Sequence, residues 1–300
     1  MLHPLKLCLA CALVGAAITA AADTTAVEIG RLAHPDVTEA SGLARSPQHD
    51  DRYWVINDSG NAPKLYAIDS KGKRHGTLAP RGVKNRDWED LESFERDGKS
   101  YLLVADVGDN NGVRSEIRVY VIEEPAELPG AGKTMNVDVA WVVRLKYPGG
   151  GRDAESVAVA DDSMYLMTKR TLPPALYRAP LRPPGDEVVE LEWLGAVDSL
   201  PAPTVRELAE APRTRRFGWQ PTGMSFSADG RRAVVVSNWR AFIFERHDGQ
   251  TWLDALNSEP RVVAMPPVDR AESVSFDSDE QGFLTTFEGR HAPLYRFALP

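Results

Sequence analysis

Cysteine is nearly missing from this 300-residue chain: the only two, Cys8 and Cys11, fall within the first 22 residues. Everything after them can form no disulfide and offers no thiolate to a metal or a nucleophilic mechanism. Histidine is sparse, six scattered copies, so an imidazole-built zinc centre has no evident ligand set. Long apolar runs are missing as well. Residues 7–17 form one, too short for a membrane span and followed by no stop-transfer pattern. With Lys6 before it and Ala20-Ala21-Ala22 after it, the segment reads as an export signal over residues 1–22. Cys8 stands where a lipoprotein signal wants leucine, which argues against a lipid anchor on Cys11. A basic excess is absent: 35 Lys and Arg against 43 Asp and Glu give a net charge of −8, which disfavours non-specific nucleic-acid or anionic-membrane binding. No Gly-x-Ser-x-Gly elbow, His-Glu-x-x-His helix or phosphate-cradling glycine loop occurs. The expected product is one exported domain, residues 23–300, periplasmic or secreted, with no integral membrane span and monomeric.

What is present is a repeat. Ala40-Ser41-Gly42-Leu43, Trp88-Glu89-Asp90-Leu91, Ala154-Glu155-Ser156-Val157, Pro221-Thr222-Gly223-Met224 and Ala271-Glu272-Ser273-Val274 open five apolar runs, spaced by 48 to 67 residues. Each is followed by an Asp/Gly/Ser-rich turn and a second β-branched or aromatic run, such as Tyr53-Trp54-Val55-Ile56 and Ala233-Val234-Val235-Val236. Third runs recur at Pro63-Lys64-Leu65-Tyr66, Pro174-Ala175-Leu176-Tyr177 and Pro293-Leu294-Tyr295. Outer strands are expected over 73–79, 137–145, 188–193 and 261–264. The period and the strand order predict an all-β propeller of five blades, six being the alternative if the longer spacings hide another. Those excesses read instead as insertions, one Pro/Gly-rich over 123–135 and one short helix over 203–213. The last repeat has three strands, so Ala26-Val27-Glu28-Ile29 is expected to supply its fourth and close the ring.

In a propeller the starts of the first strands and the ends of the second strands meet at one mouth. That gathers Ser41, Glu89, Glu155, Thr222 and Glu272 with Asn57, Asp58, Asp106, Asp109, Asn110, Lys169, Arg170, Asn238 and Glu288. The loops leading in add Arg86-Asp87, Arg152-Asp153, Arg215-Arg216 and Asp269-Arg270. Clustered carboxylates hold a hard cation or acquire raised pKa values. Asp106, Asp109 and Asn110 with Glu89 form the expected metal set, whose hard oxygens suit Ca²⁺ or Mg²⁺ over Zn²⁺, calcium being the expected cofactor; the same Asp and Asn could instead fold the turn through their own side-chain hydrogen bonds. Lys169, Arg170, Arg114 and Arg152, with Asn57, Asp58 and Glu288, would bind an anionic small molecule or a cell-envelope component. Glu155 and Glu272 are best placed as catalytic bases. A structural reading competes: Glu89, Glu155 and Glu272 each follow an arginine within three residues (Arg86, Arg152, Arg270), and such a ring could neutralise itself. Trp88 and Trp239 flank the mouth and could stack on a ligand or pack between blades.

Glu39-Ala40-Ser41-Gly42-Leu43, the strand end Trp54-Val55-Ile56-Asn57-Asp58-Ser59-Gly60 and Leu65-Tyr66-Ala67-Ile68-Asp69 resemble the first blade of bacterial phytase-like (esterase-like) propeller proteins. The Ser-Gly-Leu start and Asn-Asp strand end also resemble exported propellers of the SdiA-regulated type, and Asp87-Trp88-Glu89-Asp90 extends the likeness into a second blade. The resemblance implies an acidic, calcium-binding mouth and, through the phytases, a metal-assisted phosphoesterase or esterase. The phytases have six blades, and only some of their acids can be matched here. The alternative is a non-catalytic module for a cell-envelope protein or glycan.

Overall fold

The computed structural model describes residues 25–210, 217–268 and 270–299. The expected export signal, Arg215-Arg216 and Asp269 lie outside them. After β1 (Ala26–Arg31) the chain lays down sheets in turn. The first contains β2 (Ala40–Arg45), β3 (Tyr53–Asn57), β4 (Leu65–Ile68) and β5 (Arg74–Pro80). The second begins with β6 (Trp88–Arg96), β7 (Lys99–Asp106) and β8 (Ile117–Glu123); β9 (Thr134–Val137) then pairs back onto β5, and β10 (Trp141–Lys146) completes the sheet. The third runs β11 (Ala154–Ala160), β12 (Ser163–Thr168) and β13 (Ala175–Pro180); β14 (Val189–Glu190) pairs back onto β10, and β15 (Glu192–Ala196) closes it. A short helix, α1 (Val205–Glu210), precedes β16 (Gly223–Phe226), β17 (Arg232–Val236) and β18 (Arg240–Glu245). α2 (Trp252–Leu256) separates β18 from β19 (Arg261–Ala264). The last sheet is β20 (Ala271–Phe276), β21 (Gly282–Phe287) and β22 (Pro293–Ala298), with β1 paired antiparallel to β22 from Ala26↔Phe297 to Arg31↔Pro293.

The inner strands close a circle. β2 packs on β6, β6 on β11, β11 on β16, β16 on β20, and β20 back on β2. This is a five-bladed β-propeller, and the terminal strands seal it as the three-strand last repeat requires. The core lies between blades: Trp54, Ile56, Trp88, Leu102 and Val104 join the first two, and Phe226, Phe242, Phe244 and Trp252 join strands of the fourth blade to α2. Trp88 is fully buried there, so of its two expected roles the structure takes blade packing.

Two outer strands differ from expectation. The run at 137–145 is divided between β9, which belongs to the first blade, and β10; the run at 188–193 is divided between β14, which belongs to the second, and β15. Both displaced pieces pair parallel with the preceding blade and cover an edge that would otherwise expose its amides and carbonyls. Blade-to-blade crossing of this kind cannot be read from strand propensity. α2 was likewise unexpected, although Thr251 and Asp254 form a capping box that marks its start.

Down the channel the repeat alternates small side chains with one large acid. The position after the mouth residue is Gly42, Asp90, Ser156, Gly223 and Ser273 around the ring; two residues further it is Ala44, Glu92, Ala158, Ser225 and Ser275. Asp90 fills the first ring, accepting from the amides of Val157 (2.7 Å) and Leu91 (2.9 Å), and of Met224. Glycine at 42 is a steric requirement, since a Cβ there would lie 2.5 Å from the Leu91 nitrogen, backbone that cannot yield. Gly42→Ala is expected to cost about 2 kcal/mol, measured by urea denaturation; unchanged stability would show that the inner ring has slack.

Candidate functional site

A β-bulge builds each glutamate of the mouth. In four blades the ladder skips one residue at the inner-strand start: between Ala40 and Gly42, Trp88 and Asp90, Ala154 and Ser156, and Ala271 and Ser273. The skipped residues are Ser41, Glu89, Glu155 and Glu272. A bulge frees a side chain from the ladder and re-aims it; here it turns them to the mouth. The next connection also repeats. A residue just past the second strand, directly after it in three blades and one further on at Gly108, donates its amide to the residue two before the bulge: Asp58 to Glu39 (2.8 Å), Gly108 to Asp87 (3.2 Å), Lys169 to Asp153 (3.0 Å) and Glu288 to Arg270 (3.1 Å). Three tiers of polar side chains therefore ring one opening.

Their carboxylates converge. One oxygen each from Asp58, Asp87 and Glu89 lie within 4.8 Å of one another, and so do one each from Glu89, Asp153 and Glu155. Gly108 makes this possible. Where other blades carry Asp58, Lys169 or Glu288, its missing side chain leaves a hollow, and a Cβ would collide with the Glu89 and Asp87 carboxylates.

The second triangle is partly neutralised. The Lys169 ammonium pairs with Glu155, Arg170 Nε reaches Asp153 Oδ2 at 2.6 Å, and the Asp109 amide donates to Asp153 Oδ1 at 2.9 Å. The first triangle has lighter support, the Ser59 amide on Asp58 and the Ser59 hydroxyl on Asp87. Burial followed by the negative charges of Glu155, Asp58 and Asp87 pushes Glu89 well above the carboxylate range, against Lys169. Burial raises Asp58 to about 6, with the Ser59 amide opposing and Asp87, Glu288 and Glu39 adding to the rise. Asp87 is raised by burial and by Asp153, and Glu155 by burial in spite of Lys169. Glu272 is pushed well up by burial and by its hydrogen bond with Glu288, which itself pairs with Arg270. Burial would lower Lys169, yet Glu155, Glu272 and Glu89 together hold it above its usual value.

The sequence-expected residues divide. Glu89, Glu155, Glu272, Asp58, Lys169, Arg170 and Glu288 share the mouth. The loop expected to hold the metal is instead bound up in itself: Asp106 is paired with Arg114 at 2.8 Å, and Asp109 accepts from the amides of Val113 (3.0 Å) and Arg114 (2.7 Å). Arg114 also donates to the Gly108 carbonyl at 2.7 Å, and Asn110 accepts from Arg170. Asn57 spends its side chain on the Thr38 and Glu39 amides and the Asp36 carbonyl. Arg152 is half-buried, and its Nε has no hydrogen-bond partner among the described residues. The ion pairs are not the expected ones between each glutamate and the arginine before it: Lys169 opposes Glu89 and Glu155, while Arg270 pairs with Glu288 and feels the charge of Glu272 more weakly. Asp87 and Asp153 were expected at the mouth but not as ligands. The signal was the spacing Asp-x-Glu, present at Asp87-Trp88-Glu89 and again at Asp153-Ala154-Glu155.

No protein-family model matches the chain, and no curated protein matches it by sequence. Among solved structures it is similar to hydrazine synthase of Kuenenia stuttgartiensis, at 12% identity and TM-score 0.41 over 83% of this chain and 68% of that one. It is also similar to the WD40 repeats of RRP9, at 11% identity and TM-score 0.39 over 87% of this chain and 67% of that one. At this distance the likenesses carry nothing about chemistry, and the architecture rests on the chain's own closed circle of five blades.

Proposed function

We propose that this is an exported propeller whose mouth binds one divalent cation, Ca²⁺, between Asp58, Asp87 and Glu89, and holds an anionic ester there for hydrolysis. The observation that carries the proposal is the hollow at Gly108, which lets Asp87 and Glu89 approach with little cationic support. Two oxygens on one Ca²⁺ at 2.3–2.6 Å can stand up to about 5 Å apart, and the 4.8 Å limit on this triangle fits. A bound ion would supply a polarised ester oxygen and an acidified water. Lys169 and Arg170 lie beside the triangle and would attract the ester's negative charge. Glu272, hydrogen-bonded to Glu288 and held well above the usual carboxylate range chiefly by burial, would serve as the general acid or base. Export rests on the leader at residues 1–22.

Added Ca²⁺ is expected to raise the melting temperature by about 5 °C at a hundredfold excess over Kd, with EDTA reversing it. Asp87→Asn and Gly108→Ala should each remove the shift. If neither Ca²⁺ nor EDTA moves the melt, the metal reading is wrong. The rival, a non-catalytic module for a cell-envelope protein or glycan, draws on Lys169 and Arg270 already neutralising Glu155 and Glu288. Screening p-nitrophenyl phosphate and acetate separates the two: ion binding with no turnover of either ester favours the module.

A further inference from the structure

The two carboxylate triangles are built alike, and one side chain tells them apart. Asp87-Trp88-Glu89 in the second blade and Asp153-Ala154-Glu155 in the third occupy the same stretch of the repeat. Past the second strand of each blade, one amide donates back to the aspartate carbonyl: Gly108 to Asp87 and Lys169 to Asp153. Gly108 and Lys169 are therefore equivalent positions. The second blade leaves a hollow there, since a Cβ at Gly108 would meet the Glu89 and Asp87 carboxylates. The third blade fills it with a four-carbon arm and an ammonium group.

That ammonium is withdrawn from solvent. Lys169 is 7% exposed, and its Nζ pairs with Glu155. Lysine is almost never so buried unless it is paired. Glu272 and Glu89 also bear on it, so bulged glutamates of the second, third and fifth blades act on one cation. Arg170 Nε adds a second cation at Asp153, 2.6 Å from Oδ2. Every acid of the second triangle thus meets positive charge from the chain itself, whereas Asp58 and Asp87 of the first meet the Ser59 amide and hydroxyl. An ammonium nitrogen approaches a carboxylate oxygen to about 2.7–2.9 Å and Ca²⁺ to about 2.3–2.6 Å, so the two compete for the same oxygens. The tethered one has the higher effective concentration.

We propose that Lys169 is a built-in counter-ion that occupies the second triangle in place of a second Ca²⁺. The inference rests on the reading of the first triangle as a calcium site and fixes what that site is: one metal ion beside one tethered ammonium, in contrast to a two-metal clamp. The chemistry of the mouth is then that of a single metal.

Calorimetric titration of Ca²⁺ into the metal-free protein counts the ions. The native chain should bind one and Lys169→Met two, with the Ca²⁺-induced rise in melting temperature about doubled in the variant. Lys169→Arg keeps the charge and should still bind one. Lys169→Met leaves buried acids uncompensated, so Lys169→Met combined with Glu272→Gln serves if the single variant does not fold: it removes one negative charge outside the triangle and should also bind two. The variants without the ammonium must bind one ion more than the native chain. An equal or smaller count in them, or a second ion on the native chain, would overturn the proposal. A native chain that binds none, beside a variant that binds one, would sink the first triangle as a calcium site while upholding the role of Lys169.

Discussion

Asp90→Ala is expected to lower stability by about 4 kcal/mol and the melting temperature by about 10 °C. The side chain is fully buried, and it accepts from amides of three blades, those of Leu91, Val157 and Met224. Removing it leaves three inner-strand N–H groups facing a void too enclosed to hydrate them freely, and each such group costs about 1–3 kcal/mol. Asp90→Asn keeps the volume and one acceptor oxygen but sets an NH₂ against an amide, so about half the loss is expected. Burial raises the Asp90 carboxyl well above its usual range, while the amides favour its charged form. If Asp90→Ala were neutral or stabilising, desolvation of the acid would outweigh its bonds, and the blades would be held by their apolar faces alone.

The second large effect is on pH. Glu89, Glu155, Glu272, Asp87 and Asp58 are all held above their unfolded values. A carboxyl with a raised folded pKa binds more protons folded than unfolded, so its stabilisation is complete below the unfolded pKa and disappears as pH rises through the folded one. Asp58, moving from 3.8 to about 6, loses about 2 kcal/mol between pH 4 and 7, discounted for its partial exposure. Surface acids act outside this window: Glu116, held down to about 2 chiefly by Arg144, destabilises only when acid protonates it. Urea denaturation without divalent cations should therefore give greater stability at pH 5 than at pH 8, by at least about 2 kcal/mol. Saturating Ca²⁺ should flatten that slope, and Asp58→Asn should reduce it. A slope of the opposite sign would mean that the mouth acids are better compensated than their geometry indicates.

The blades were legible because each inner strand restates a pattern that must pack the same way against its neighbours: Ser-Gly-Leu, Glu-Asp-Leu and Glu-Ser-Val start the same strand. The terminal closure was legible from a missing fourth strand. Register across blades was not, and β9 and β14 cross to the preceding sheet because an open edge there outweighs the local run. At the mouth, the glutamates could be found from the repeat, since the bulge falls on the repeated position itself. Asp106 and Asp109 could be read either way, because Asp-rich turns use their carboxylates to fold the loop as readily as to bind a ligand; here Arg114 and two amides engage them. The counter-ion Lys169 arrives from a different strand of its blade, and chain order gave no hint that it, rather than Arg86 or Arg152, would face Glu89 and Glu155.

Five sheets closed in a circle aim bulged acids into one weakly compensated hollow, and calorimetric titration of Ca²⁺ into the metal-free protein tests that directly. One ion per chain is expected, bound more tightly at pH 8 than at pH 5 and abolished by Glu89→Gln and by Gly108→Ala. No binding at millimolar Ca²⁺, or binding indifferent to both substitutions, would contradict it.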